Sequence, residues 1–227
     1  PYTTLFRSLG TVFNSLGDYA KAKEYFQKAL AITIEIGDRS GEATSYGNLG
    51  TLFNSLADNF KAEQCFEKAI AISVEIGDRG KEATFYGNLG ATLNLIGENF
   101  KAKEYIQKAI AMKLEIGDRS GVAASYGNLA VMFSSLGQYV KAIEYQEKAL
   151  AIRIEIGDRN GEAFSYGNLG TVFSSLGEHA KAKEYHEKAL AIRTKIGHKA
   201  GEATDYGNLG TVFHSLEIGR ASCRERV

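Results

Sequence analysis

The sequence predicts an all-α protein, a right-handed α-solenoid of stacked helix pairs, and three observations carry that prediction. Tyr-Gly-Asn-Leu begins at Tyr46, Tyr86, Tyr126, Tyr166 and Tyr206, a step of 40 each time. Glu-Ile-Gly-Asp-Arg begins at Glu35, Glu75, Glu115 and Glu155 with the same step, and a degenerate Lys-Ile-Gly-His-Lys starts at Lys195. Between these markers apolar residues recur every three or four positions, the mark of amphipathic helices rather than strands. Self-similarity at a fixed period of this size means a quasi-one-dimensional array in which each unit buries its apolar face on its neighbours.

One period, residues 39–78, shows why each element forms. Ala43, Tyr46, Leu49, Gly50, Phe53 and Leu56 step by three and four and predict the first helix. Ala57-Asp58-Asn59 breaks it, as Gly17-Asp18 and Gly97-Glu98-Asn99 do in other copies. Phe60, Ala62, Phe66, Ala69, Ile70 and Ile76 give the apolar stripe of a second helix. Gly77 is placed to end that helix in a left-handed conformation, and Asp78 to cap the next one. Each period therefore reads as two helices of about 16–18 residues with short turns between them.

These residues resemble the tetratricopeptide repeat. The pattern Tyr46-x-x-Leu49-Gly50-x-x-Phe53, followed by Ala57, Ala62, Phe66 and Ala69, is similar to that family's aromatic, Leu-Gly, aromatic and later small–aromatic–small positions. Ala130 replaces the small glycine in one copy. Val74 stands where the family usually has proline, and the step is 40 rather than about 34. The long form is similar to the repeats of Pins-type G-protein-signalling modulators and of large multi-repeat tetratricopeptide proteins. The resemblance spans residues 9–216.

The two ends do not fit the period. One codon choice for residues 1–8, CCC TAC ACG ACG CTC TTC CGA TCT, reads on the opposite strand, after one added G, as Glu-Ile-Gly-Arg-Ala-Ser-Cys-Arg, which is residues 217–224. The shared stretch resembles a sequencing-adapter oligonucleotide. Residues 1–8 and 217–227 are thus expected to be non-native ends of a fragment, with the array over 9–216.

The 227 residues carry 27 Lys+Arg and 27 Asp+Glu, which argues against binding nucleic acid by phosphate neutralisation and against a polybasic membrane anchor. Two cysteines make no disulfide framework, and a reducing, cytoplasmic setting is the expectation. No catalytic set and no metal set emerges: His179 and His186 lack a third ligand at a suitable spacing, and His198 and His214 stand singly. Cys65 reads as a packed thiol. No enzyme activity and no cofactor are expected.

In tetratricopeptide arrays the first helix of each pair lines a concave groove, so the resemblance implies binding positions there. One copy holds Thr44, Gly47, Thr51, Asn54 and Ser55, another has Asn94, and later copies have Thr171 and Thr211. Asn48, Asn88, Asn128, Asn168 and Asn208 form an amide ladder beside this floor. An amide both donates and accepts, so the ladder suits an extended peptide backbone, and it equally suits bonds to a neighbouring helix. Arg79 and Arg119 follow the turn aspartates and suit either an acidic ligand or nearby Glu. Gly47 sits mid-helix, at a cost of about 1 kcal/mol relative to Ala, where a ligand or an adjacent helix comes close.

The expectation is a protein–protein interaction scaffold that holds an extended or helical peptide segment in its groove. The alternative is the sensor or regulatory arm of a larger signalling NTPase or protease. The partners expected are a protein or peptide, with neither nucleic acid nor membrane, and self-association through uncapped ends is the further route.

Overall fold

The computed structural model describes residues 2–224, and they form eleven helices with tight turns between them. These are α1 Tyr2–Ser15, α2 Tyr19–Glu35, α3 Arg39–Ser55, α4 Asn59–Glu75, α5 Arg79–Leu95, α6 Asn99–Glu115, α7 Arg119–Ser135, α8 Tyr139–Glu155, α9 Arg159–Ser175, α10 His179–Ile196 and α11 Lys199–Arg224. The all-α array of helix-turn-helix repeats that the sequence predicts is the fold. Two units divide it, residues 1–121 and 122–227. In the first, α1 pairs with α2, α3 with α4 and α5 with α6; in the second, α9 pairs with α10 and α11 packs on α10. Residues 2–8 belong to α1, and of the expected non-native end 217–227, residues 217–224 continue α11 as helix while 225–227 lie outside the described residues.

The turns follow from a few side chains. After α4, Gly77 takes φ 70°, a left-handed conformation open to glycine, and Asp78 N–H reaches back to Ser73 O at 2.9 Å. The Asp78 carboxylate then accepts from Lys81 N–H at 3.0 Å and caps α5. Asp38, Asp118 and Asp158 do the same through Gly41, Gly121 and Gly161 N–H, each at 2.8 Å. His198 replaces them before α11, its Nδ1 accepting from Gly201 N–H at 2.9 Å.

Within a pair, the second helix lies close against the first because both contribute small residues. Ala62, Ala69, Ala102, Ala109, Ala182 and Ala189 are fully buried. A Cβ added to Gly50 would lie 2.8 Å from the Phe66 ring, and one on Gly90 would lie 2.6 Å from Ile106 Cγ1 and 3.0 Å from Ala102 O. Gly10 makes the same room for Phe26, and Gly170 for His186. Fully burying a side chain such as Phe66 contributes about 1.5–3 kcal/mol, which exceeds the roughly 1 kcal/mol that a mid-helix glycine costs. Aromatic contacts extend the pairing: the Tyr185 ring stacks on Phe173 at 5.2 Å and tilts against Tyr166 at 6.1 Å.

Three of the expected stripe residues are exposed: Leu56 and Ile76 at the helix ends and, most of all, Phe60. Phe60 is 68% exposed, whereas Ala62, Phe66, Ala69 and Ile70 are buried. Two residues along a helix turn through about 200°, so Phe60 sits on the face opposite Ala62. Phe100, its counterpart, is likewise exposed.

Between pairs, the contact is made by residues twelve apart that change from copy to copy. Ser73, in the last turn of α4, is fully buried, and Phe85 of α5 is buried too. That Phe85 ring fills the space over Gly47, where a Cβ would lie 2.2 Å from it. In the second unit Arg153 is buried and donates from Nη1 to Gly161 O at 3.0 Å and to Ser165 Oγ at 2.6 Å. Arg193 donates to Gly201 O at 2.9 Å and pairs with the buried Asp205 carboxylate at 3.0 Å. Burial holds the Arg153 guanidinium below its ordinary range, and raises Asp205 although Arg193 pulls the other way.

Two consequences can be measured. Ala57 holds φ 56° where the equivalent turns carry glycine, a conformation costing an L-residue about 1–2 kcal/mol. Ala57→Gly is expected to raise the chemical-denaturation midpoint by the equivalent of about 1 kcal/mol; an unchanged or lower midpoint contradicts this. His186 is 1% exposed with Nδ1 unpartnered, and burial, helped by Arg193, pushes its imidazole below the ordinary histidine range of about 6.5. The unfolded chain therefore binds a proton that the folded chain resists. Its contribution is whole above pH about 6.5 and is lost as pH falls below that value. His186→Ile, the residue found at Ile106, is expected to flatten the fall in Tm between neutral and mildly acidic pH relative to the parent chain.

Candidate functional site

The first helix α3 has three faces already occupied. Leu49 and Gly50 meet the second helix of the same pair, Gly47 meets Phe85 of the next, and Ala43 is fully buried. What stays open is a stripe stepping by four, three and four. It comprises Thr44, Asn48, Thr51 and Ser55 on α3, and Thr84, Asn88, Ala91 and Leu95 on α5, all half-buried or exposed. In the second unit the stripe is Ala124, Asn128, Val131 and Ser135 on α7, and Phe164, Asn168, Thr171 and Ser175 on α9. Thr204, Asn208, Thr211 and Ser215 continue it on α11. No member carries a charge.

Within each unit the first helices of successive pairs approach one another, α1 with α3 and α3 with α5, and α9 with α11. The stripes therefore stand side by side. Stripe hydroxyls are tied to their own helix, Thr51 to Gly47 O and Thr171 to Gly167 O, each at 3.1 Å, and Thr211 to Gly207 O at 3.2 Å. Asn54, read from the sequence as floor, lies to one side and donates from Nδ2 to Thr92 Oγ1 at 2.9 Å, a bond between repeats. Asn94, its equivalent, is half-buried.

The arginines at the starts of the first helices lie among carboxylates. Arg79 pairs with Glu115 at 2.6 Å and lies 3.6 Å from Glu82. Arg39 pairs with Glu42 and Glu75, and Arg159 with Glu162 at 2.7 Å. Arg119 is exposed at the same position of α7.

Sequence reasoning overlooked a group of polar residues in the second unit. Gln146 on α8 is 1% exposed, and neither its Nε2 nor its Oε1 has a partner. Asn168 Nδ2 on α9 is buried and unpartnered as well. Both residues line a cavity of about 290 Å³ whose remaining wall includes Ala130, Val131, Ser134 and Val172. A second cavity, about 500 Å³, lies at the starts of α9 and α11 and is lined by Arg153, Arg193, His198, Phe164 and Thr204. Its guanidiniums are engaged by backbone carbonyls, so it braces the helix pairs.

Among the described residues, no group of three His, Cys, Asp or Glu is placed to hold a metal ion. No described helix is long and apolar enough to cross a membrane. Cys65 is half-buried against the cluster of Ala22, Phe26, Leu49 and Leu52, and burial pushes its thiol up, away from the reactive thiolate.

No curated protein matches the chain in sequence. Among solved structures, BtubC (BKLC) from P. vanneervenii is similar at 26% identity and a TM-score of 0.69, over 85% of this chain and 80% of that one. The Rap conjugation gene regulator of plasmid pLS20, solved in complex with the Phr* peptide, shares the fold at 16% identity and a TM-score of 0.81. That match covers 99% of this chain and 63% of the regulator. A Signal Transduction ATPase with Numerous Domains with a tetratricopeptide repeat sensor, from Pyrococcus horikoshii, shares it at 21% identity and a TM-score of 0.71, over 99% of this chain and 36% of that protein. The tetratricopeptide repeat model matches residues 2–75, 81–155, 121–195 and 161–221, so the chain belongs to the tetratricopeptide repeat family.

Proposed function

We propose that this repeat scaffold binds a peptide segment of a partner protein along the uncharged stripe of its first helices. The observation that carries the reading is that stripe itself. On α3, α5, α7 and α9 the residues off the stripe are largely buried, while Asn48 and Asn88 in one unit, and Asn128, Asn168 and Asn208 in the other, remain half-buried at its centre. A half-buried amide keeps its geometry yet offers one acceptor and two donors, which matches the alternating N–H and C=O of a backbone. With no charge on the stripe, affinity would come from many modest bonds and would depend little on salt. Thr51, Thr171 and Thr211 would line the peptide's path, and Asn54, Asn94, Arg79 and Arg119 would flank it. The Phr* complex of the Rap regulator supports a peptide as the class of ligand. No reaction is assigned to the chain. The array proper is taken as residues 9–216.

A second reading, the sensor arm of a larger signalling ATPase, is favoured by one finding: the chain covers 36% of the Pyrococcus horikoshii protein that carries such a sensor. The peptide-binding stripe would serve both readings.

The test is binding to an array of unrelated extended peptides, compared between the parent chain and an Asn88→Ala, Asn128→Ala double variant. Each lost backbone bond is worth about 0.5–1.5 kcal/mol, so the double variant is expected to bind about five- to a hundredfold more weakly while its Tm stays within a few degrees. Unchanged binding would remove the amide ladder from the function.

A further inference from the structure

We infer that the cavity between α7, α8 and α9 is a side-chain pocket that selects a carboxamide, the terminal group of glutamine or asparagine, from the bound peptide. The inference rests on the peptide-groove reading and specifies what that groove recognises. It begins with one substitution. In three copies a glycine on the first helix admits a large residue of the second: Gly10 admits Phe26, Gly50 admits Phe66, and Gly90 admits Ile106. A fourth, Gly170, admits His186. At Ala130 the methyl group occupies that space, and the facing residue is Gln146. The pair no longer fills its own interface, and the cavity of about 290 Å³ stands there. That volume lies at the low end for small-ligand pockets, and the walls from Ala130, Val131 and Val172 suit an aliphatic stem.

The polar groups define what sits at the end of that stem. Gln146 is 1% exposed, both ends of its amide are unpartnered, and Asn168 Nδ2 beside it is unpartnered too. Whichever way the Gln146 amide is turned, it offers a donor at one end and an acceptor at the other. A ligand carboxamide satisfies both at once: its oxygen accepts from Gln146, with Asn168 Nδ2 as a second donor, and its N–H₂ donates to the Gln146 oxygen. A carboxylate has no hydrogen for that oxygen, an ammonium has no acceptor for the two donors, and no charge in the cavity lining offsets the burial of either. An aliphatic end leaves all three atoms unsatisfied. Asn168 belongs to the exposed stripe, so the pocket opens where a groove peptide would pass.

The experiment titrates the full chain with propionamide, propionate and propylamine and follows the side-chain NH₂ signals of Gln146 and Asn168 by NMR. Propionamide is expected to shift both signals while the other two leave them in place, and Gln146→Met, which keeps the volume and removes both polar ends, is expected to abolish the response with the backbone spectrum retained. In the peptide array, glutamine at one position is expected to outbind glutamate there by about tenfold or more. No shift with propionamide, an equal shift with propionate, or a response that survives Gln146→Met overturns the inference and leaves a hydrated structural cavity. Peptide binding with silent Gln146 signals removes the pocket and keeps the groove. Propionamide binding with no peptide bound keeps the pocket as an amide site and removes the groove.

Discussion

The closeness of two helices at a single glycine governs the rest of this molecule. Where Gly50 faces Phe66 and Gly90 faces Ile106, the missing Cβ lets the second helix lie directly against the first. The large side chain then buries itself in the space and more than offsets the glycine's cost in helix propensity. With that distance set, Ala62, Ala69 and their counterparts can be fully buried, and the aromatic rings can stack beside them. The remaining face of the first helix is left to solvent, and it is there that the uncharged stripe lies.

Contacts between pairs work differently. There the copies differ, with Ser73 and Phe85 at one junction, Arg153 and Ser165 at another, and Arg193 and Asp205 at a third. A small residue on one side accompanies a large one on the other, or two charges meet. A sequence of near-identical repeats could pair its helices out of order, and distinct junctions oppose that because a displaced Arg153 or Asp205 would be buried without its partner. Gly47 and Gly167 belong to this contact, since their open sides receive Phe85 and the Arg193–Asp205 pair.

Much of this was legible from the sequence, because helix caps and glycine turns are local. Gly77 and Asp78 announce the turn they make, and the step of 40 announces the array. The face of a residue near a helix start was less legible: Phe60 is apolar and close to the period of the stripe, yet it points outward. The role of Gly47 was open between ligand and helix, because only the packed neighbour supplies Phe85. Asn54 looked like floor and instead bridges to Thr92, a bond that needs the next repeat in place. Gln146 was overlooked since a glutamine on a helix ordinarily reads as surface. Its signal was present in the copy that also carries Ala130, and it needed the two positions to be read as a facing pair.

The most direct test of the account is a double-mutant cycle at that facing pair, Ala130→Gly with Gln146→Phe, read by chemical denaturation. Glycine alone is expected to cost about 1 kcal/mol in helix propensity, and phenylalanine against the Ala130 methyl about 1–3 kcal/mol through overpacking. Together they recreate the Gly50–Phe66 arrangement, and the account predicts a favourable coupling of at least about 1 kcal/mol, with the double variant losing clearly less than the sum of the two single losses. Additive losses would show that the glycine and the large residue do not depend on each other, and would contradict the constraint on which the fold and its cavity have been explained.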